Sequence, residues 1–276
     1  MNIKQEQNVN SKISNNDIRI MSHNIFLYDK PPIKDRFEFF IKEFELVSPD
    51  IICLQETSEK WHELLSVEMP KRSFEYVPLT NANYEGAEQR YNYNVVMYNT
   101  DVFDLTDHFH IRYSTYDPEN PNFARVFTCG VLTRKSDGKK LACISTHFTA
   151  GAKVTEHFRV TEASEILAGL DIIKKNHGNI PTVLMGDLNA LYRTPPIQKL
   201  SEGMICVRDI ENIVTNNTDI GTTHYHWGEL PTKEHPIIDF AFITGEGYTT
   251  KQYQHIVNEI SATASDHIAI AFDFEI

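Results

Sequence analysis

The sequence predicts a single α/β domain, and three observations carry that prediction. Strand-like and helix-like hydrophobic patterns alternate from Ile18 to the C-terminus, no repeat, linker or low-complexity tract interrupts them, and the 276 residues are 41% hydrophobic. A chain of this length buries roughly three quarters of its unfolded surface on folding, enough for a large core. No run in it approaches the ~20 apolar residues of a membrane span.

Residues 1–16, MNIKQEQNVNSKISNN, are polar and read as a frayed tail ahead of one domain over 17–276. They hold no apolar segment and no small-residue cleavage site, so no secretory signal is expected and a cytoplasmic location follows. Ile18 to Asn24 reads as a strand. Asp35 to Val47 reads as a helix because Phe37, Phe40, Ile41, Phe44 and Val47 recur at helical spacing, and Ser48-Pro49 stops it. Asp50 to Leu54 is a short buried strand ending at Gln55-Glu56, and Val95 to Tyr98 is another.

Val126 to Leu132 and Leu141 to His147 flank Asp137-Gly138, a strong hairpin signal. A turn centred there places residue 128 opposite 147, brings Arg125 to the same edge as His147, and leaves the basic run Arg134 to Lys140 at the far end. A helix from about Thr155 to Asn176 carries Ile166, Leu167, Leu170 and Ile173 on one side and is ended by Gly178. Thr182 to Gly186 reads as a strand leading into Asp187-Leu188-Asn189. Ile237 to Ile243 reads as a fully buried strand, and the C-terminus alternates through Ile268, Ile270, Phe272, Phe274 and Ile276. Residues 81–94, 112–124 and 211–236 read as long polar loops, a length that usually marks function or mobility.

The 38 acidic residues exceed the 26 Lys and Arg, a net charge of −12. That disfavours broad adhesion to nucleic acid or anionic lipid, although a bound cation or a local basic cleft still recruits a phosphate. Cys53, Cys129, Cys143 and Cys206 are widely spaced and form no CxxC pair, so buried free thiols are expected.

The functional signal lies in polar residues at the ends of apolar strands: Asn24, Glu56, His147 and Asp187 with Asn189 follow strands, and Asp266-His267 precedes one. Each has an ordinary explanation when taken singly. Glu56 reads as a loop carboxylate or helix cap, His147 as a satisfied core histidine, Asp187 and Asn189 as an Asx turn, and Asp266 as a turn former. Asp239 is harder to explain, because a carboxylate within Ile-Ile-Asp-Phe-Ala-Phe-Ile is a charge in a core strand that needs a partner, most naturally a histidine.

The ordered series Ser22-His-Asn24-Ile, Ile51-Ile-Cys-Leu-Gln-Glu56-Thr, Ser145-Thr-His147-Phe, Gly186-Asp-Leu-Asn189-Ala, Ile238-Asp239-Phe-Ala-Phe and Ser265-Asp-His267 resembles the endonuclease/exonuclease/phosphatase superfamily. That superfamily includes deoxyribonuclease-like, abasic-site endonuclease, deadenylase-like, inositol-phosphatase and sphingomyelinase enzymes. The resemblance implies a four-layer α/β/β/α sandwich with two packed mixed sheets and a site at one rim. It further implies a metal-dependent phosphoesterase, with Glu56, Asn24 and Asp266 at Mg²⁺ (Mn²⁺ substituting) and Asp187 positioning or deprotonating the attacking water. Asn189 then supports Asp187 or a phosphoryl oxygen, His267 is oriented by Asp239, and His147 stabilises developing charge or protonates the leaving group.

Arg125, Arg159 and Asn94 resemble recurrent positions of the superfamily and are candidates for substrate contact. The alternative for Arg159 is an ordinary ion pair with Glu156 or Glu162. His226 and Trp227 lie in a segment where relatives carry Thr-x-His-aromatic, either as a substrate-facing lip or as an aromatic plug. Zinc at His224 and His226 lacks a third nitrogen or sulfur ligand nearby. His23 and Phe148 occupy positions where relatives vary.

Substrate choice lives in the loops, and those at 81–94, 112–124 and 211–236 carry Glu85, Glu88, Asp117, Glu119, Asp219, Glu229 and Glu234. The inositol-phosphatase branch calls for a Lys/Arg cluster that is missing, and the sphingomyelinase branch is normally exported. A phosphodiesterase or nuclease is the leading expectation, with nucleic acid as its candidate partner. The alternatives are a small-molecule phosphomonoesterase and a catalytically silent binding module.

Overall fold

The computed structural model describes residues 9–79, 93–115, 125–151, 156–224 and 226–276; most of the loops expected at 81–94 and 112–124 lie outside them. In chain order the elements are β1 (Ile18–Asn24), α1 (Ile33–Val47), β2 (Ile51–Thr57), α2 (Glu59–Glu68), β3 (Phe74–Tyr76), β4 (Tyr93–Asn99), β5 (Phe103–Arg112), β6 (Val126–Arg134) and β7 (Lys140–His147). They continue through α3 (Glu156–His177), β8 (Thr182–Asp187), α4 (Pro195–Leu200), β9 (Ile205–Cys206), β10 (Val214–Asn216), β11 (Asp239–Thr244), β12 (Thr249–His255), α5 (Glu259–Ala264) and β13 (Ile270–Glu275).

The strands form two mixed sheets, ordered β10-β12-β13-β1-β2-β4-β3 and β5-β6-β7-β8-β11-β9. Period-two alternation sends one row of each central strand into the space between the sheets and the other toward helices, so these strands read as nearly continuous apolar runs. Ile51 and Cys53 meet Cys143, Met185 and Phe272 between the sheets, while Ile52 and Leu54 meet Phe40, Phe44 and Trp61 of α1 and α2. Across the second sheet, Phe127, Ile144 and Phe242 pack on Ile166 and Ile173 of α3 and Leu200 of α4. The result is the four-layer α/β/β/α sandwich expected from the sequence.

All four cysteines are buried and free, with the Cys53 and Cys143 sulfurs 3.4 Å apart across the inter-sheet core. Among the described residues no helix is long and apolar enough to cross a membrane.

Two expectations need correction. Residues 9–16 do not fray: Asn10 pairs with Gln254, its carbonyl accepts from Arg19 Nη2 at 2.9 Å, and Lys12 Nζ bonds Asp50 at 2.5 Å. The anchor is Arg19, which is buried and forms a bidentate pair with Asp273 opposite it on β13, at 2.7 and 2.6 Å. The β6–β7 register also differs by two residues, since Thr128 lies opposite Ser145 rather than 147. The chain turns through five residues, 135–139, with Gly138 in the left-handed region at φ 74°, so the turn centres ahead of Asp137-Gly138.

The region 211–236 is tied down more than a free loop: β10 pairs with β12, and Thr223 bridges to His267.

Candidate active site

Strand direction brings the polar strand ends together. β1 and β2 run parallel, so Asn24 and Glu56 emerge at one rim; β7 and β8 run parallel, so His147 and Asp187 emerge as a register pair. β11 runs antiparallel to β8 and presents Asp239, its first residue, opposite Asp187. β13 runs antiparallel to β1, so Asp266-His267 ahead of it reaches the same rim.

Local backbone then aims the side chains. A register irregularity between Leu54 and Thr57 marks a bulge in β2, and Glu56 sits there at φ 57°, a strained conformation for a non-glycine residue and one that clusters at functional sites. Asn189 also has a left-handed backbone, at φ 46°, which Asn tolerates better than most residues. A Cβ on Gly186 would lie 1.9 Å from the Thr146 carbonyl oxygen, so only glycine lets β8 approach β7 just ahead of Asp187.

Asp187 is the centre of the cluster. Its Oδ2 accepts from Asn24 Nδ2 at 3.0 Å and lies 3.3 Å from His147 Nε2 and 3.8 Å from His267 Nε2, while Oδ1 accepts from the Asn189 backbone N–H at 2.8 Å. Asn24 also donates to Glu56 Oε1 at 3.2 Å, and Glu56 Oε2 accepts from the Leu27 N–H at 3.1 Å. His267 Nδ1 is 2.8 Å from Asp239 Oδ2, which gives the buried carboxylate its partner. Ser265 Oγ joins the Asn24 carbonyl to Asp266 Oδ1, at 2.5 and 3.2 Å.

The electrostatics separate the two imidazoles. Burial opposes charge on His267, but Asp239, Asp187 and Asp266 outweigh it and raise its pKa well above the usual value. Burial, with the charges of Arg125 and His267, drives His147 the other way, so this ring is neutral. Burial and the charge of Asp239 push Asp187 up, against the opposing pull of His267.

Of the other sequence candidates, Arg125 places Nη1 2.8 Å from His147 Nδ1. Arg159 donates from Nε to the Thr149 carbonyl and from Nη2 to the Gly151 carbonyl, at 2.8 and 2.6 Å, bracing the loop after His147; Glu162 grips the same loop through Thr149 N and Oγ1. Asn94 is buried, donates to the Val126 carbonyl at 2.5 Å, and links the two sheets below Arg125. His226 is exposed, and its carbonyl lies 2.9 Å from His224 Nδ1. Trp227 is half-buried, 5.4 Å from the Phe26 ring, with the Arg36 guanidinium 5.2 Å from its centre.

The sequence reading missed Arg36 and Gln55. Arg36 is buried and donates to the carbonyls of Ile25, Phe26, Tyr28, Pro31 and Ala264, so it clasps the loop carrying Leu27 to the chain just before Asp266. Gln55 Nε2 joins Ser22 and Ser145 across the sheets, beneath the site. Both had a signal: a charge or amide at a position whose spacing belongs to the apolar face.

Among the described residues, Asp187, Asp239 and His267 offer three ligand atoms within 4.8 Å of one another. His267 Nδ1 and Asp239 Oδ2 are already engaged with each other, so the trio is better arranged for proton handling than for enclosing an ion. The donors outside that pair, Glu56, Asp266 and the Asn24 and Asp187 oxygens, are hard oxygen ligands suited to a divalent cation. Burial first, and then the charge of Asp239, raise Asp187, and a cation bound beside it would oppose that shift.

Comparison with known proteins decides the family. The sequence model of the Endonuclease/Exonuclease/phosphatase family matches residues 21–267, which takes in every strand end described above. The chain belongs to this family. Its members are phosphoesterases dependent on divalent metal. Solved structures share the fold: a Bacteroides vulgatus family member has a TM-score of 0.75 at 22% identity, covering 94% of this chain and 99% of its own. A Bacteroides thetaiotaomicron mannosyl-6-phosphatase gives 0.74 at 17%, covering 94% and 100%. D. rerio TDP2 with a single-stranded DNA product gives 0.69 at 17%, covering 94% and 99%. No curated protein sequence matches the chain.

Proposed function

We propose that this family phosphoesterase is a Mg²⁺-dependent phosphodiesterase of nuclease type, with Mn²⁺ as a substitute, that hydrolyses its ester by in-line attack of water. The observation that carries the proposal is the convergence on Asp187 of Asn24, His147, Asn189 and His267 from the ends of four strands, β1, β7, β8 and β13. Glu56, Asn24 and Asp266 are the residues that would hold the cation. Bound there, a divalent ion supplies positive charge to the phosphoryl oxygens.

The chain's own groups do the rest. Asp187, raised toward the working range of a base, accepts the proton of the attacking water and aims it at phosphorus. Asn24 and the Asn189 N–H hold that carboxylate in place, so its orientation is set before substrate arrives. His267 is kept protonated by Asp239 and is the group with a proton to deliver to a phosphoryl or leaving oxygen.

A second reading, a phosphomonoesterase for a small molecule, is favoured by what the arginines near the rim do. Arg36, Arg125 and Arg159 each direct N–H groups to protein acceptors, an arrangement that serves a short substrate better than a long polyanion. The test is turnover of single-stranded DNA, single-stranded RNA, bis(p-nitrophenyl) phosphate and p-nitrophenyl phosphate with Mg²⁺, Mn²⁺ or EDTA. Diester or polynucleotide cleavage that EDTA abolishes supports the diesterase. Turnover of the monoester alone moves the protein to the second reading.

A further inference from the structure

His147 stands between two hydrogen-bond donors. Arg125 Nη1 is 2.8 Å from its Nδ1, and Asn189 Nδ2 is 2.9 Å from its Nε2. A neutral imidazole has one lone pair to offer and one N–H, so it cannot accept from both neighbours. Asn189 does not need His147 as an acceptor, because its Nδ2 also donates to the Phe148 carbonyl at 3.1 Å. Arg125 cannot accept: a guanidinium has donors only and does not lose its proton in a protein. The lone pair therefore belongs to Nδ1 and the proton to Nε2.

We infer that Arg125 is a positioning residue that fixes His147 as its Nε2–H tautomer, making this ring a neutral hydrogen-bond donor and excluding it as the acid that protonates the leaving group. The inference rests on the phosphoesterase reading for its catalytic meaning, although the tautomer itself does not. The Nε2–H faces Asp187 Oδ2 at 3.3 Å, the oxygen side of the site, where a phosphoryl oxygen can take its place as acceptor. His267 is the complement: its Nδ1 backs onto a carboxylate, which supports an imidazolium, whereas His147 backs onto a guanidinium, which opposes one. One site thus holds one proton-delivering ring and one ring that only donates a hydrogen bond. The direction of the His147 pKa, lowered by burial and by Arg125, agrees.

The test reads the ring nitrogens by long-range ¹H–¹⁵N NMR of the full chain, with and without Mg²⁺, the His147 signals being assigned by their loss in His147→Gln. The expected wild-type result is a protonated Nε2 and an unprotonated Nδ1 at neutral pH. Arg125→Lys, a donor-only replacement, keeps that tautomer. Arg125→Gln, whose amide can also accept, admits the Nδ1–H form and lowers kcat about 10- to 100-fold with a much smaller change in KM, the range found when a partner orienting a working histidine is removed. A wild-type ring protonated on Nδ1, or on both nitrogens, overturns the inference, as does an unchanged tautomer in Arg125→Gln. Because the nitrogens are read without turnover, a protein inert toward every phosphate ester contradicts the proposed function while the tautomer still decides this inference.

Discussion

Asp187 and Asp239 face each other as a register pair of the antiparallel β8–β11 ladder, both 2% exposed. Two carboxylates so placed repel, and the fold answers by setting His267 against one of them and directing Asn24 and Asn189 donors to the other. The arrangement keeps a carboxylate and an imidazole, both with raised pKa, at the same rim, where the proposed function uses them as base and acid.

Asp239→Asn should therefore disable His267 without unfolding the protein. The loss of the first group that raises His267 lowers its pKa, and the loss of repulsion lowers that of Asp187, so both limbs of the kcat pH profile move to lower pH. The expected fall in kcat is about 10²- to 10⁴-fold, the usual worth of a positioned acid or base. An unshifted profile would separate Asp239 from the chemistry.

Metal binding should be visible as stability. A ligand that binds only the folded state at a hundredfold excess over its Kd adds about 2.7 kcal/mol, so Mg²⁺ should raise the melting temperature and EDTA should reverse it. Glu56→Gln should abolish most of that rise, since Glu56 is the carboxylate that the β2 bulge turns toward Asn24. Calorimetric scans at matched ionic strength check this.

The Arg19–Asp273 pair should dominate stability away from the site. Both side chains are buried, and removing one partner leaves an uncompensated interior charge. Asp273→Ala is expected to cost about 3 to 5 kcal/mol, read as a lower urea midpoint. Arg19→Met combined with Asp273→Leu should recover much of it.

His255 sets an acid limit on the fold. It is buried beside the Ile220 carbonyl, and burial pushes its pKa down to about 4. The unfolded chain titrates this ring near 6.5, so between these values the unfolded state holds the extra proton and stability falls as pH falls. The loss approaches roughly 3 kcal/mol by the lower end of the window. Urea unfolding of His255→Gln should show a flatter pH dependence than wild type across that range.

The strands that carry the site were legible because a polar residue closing an apolar run is conspicuous: Asn24, His147, Asp187 and Asp239 each stand out that way. The helix α1 was legible in extent but not in content. Arg36 and Glu43 share its buried stripe with Phe37, Phe40 and Phe44, and their partners, loop carbonyls and His23, come from segments that spacing alone does not bring near. β5 was missed for a different reason. Phe103, Leu105, Phe109 and Ile111 alternate, but a bulge between Leu105 and Asp107 switches the row from the inter-sheet core to the α3 side. Glu56 was found by position, while its left-handed backbone, which decides its aim, left no mark on composition.

The central claim is that Asp187 is the base of a metal-dependent phosphoesterase. Its most direct test is steady-state hydrolysis of bis(p-nitrophenyl) phosphate by wild type and Asp187→Ala, each with Mg²⁺ and with EDTA, at equal folded protein by circular dichroism. The predicted result is wild-type turnover that EDTA removes and a loss of about 10²- to 10⁴-fold in the variant. Turnover by Asp187→Ala within a few-fold of wild type, or wild-type turnover indifferent to EDTA, would contradict the account.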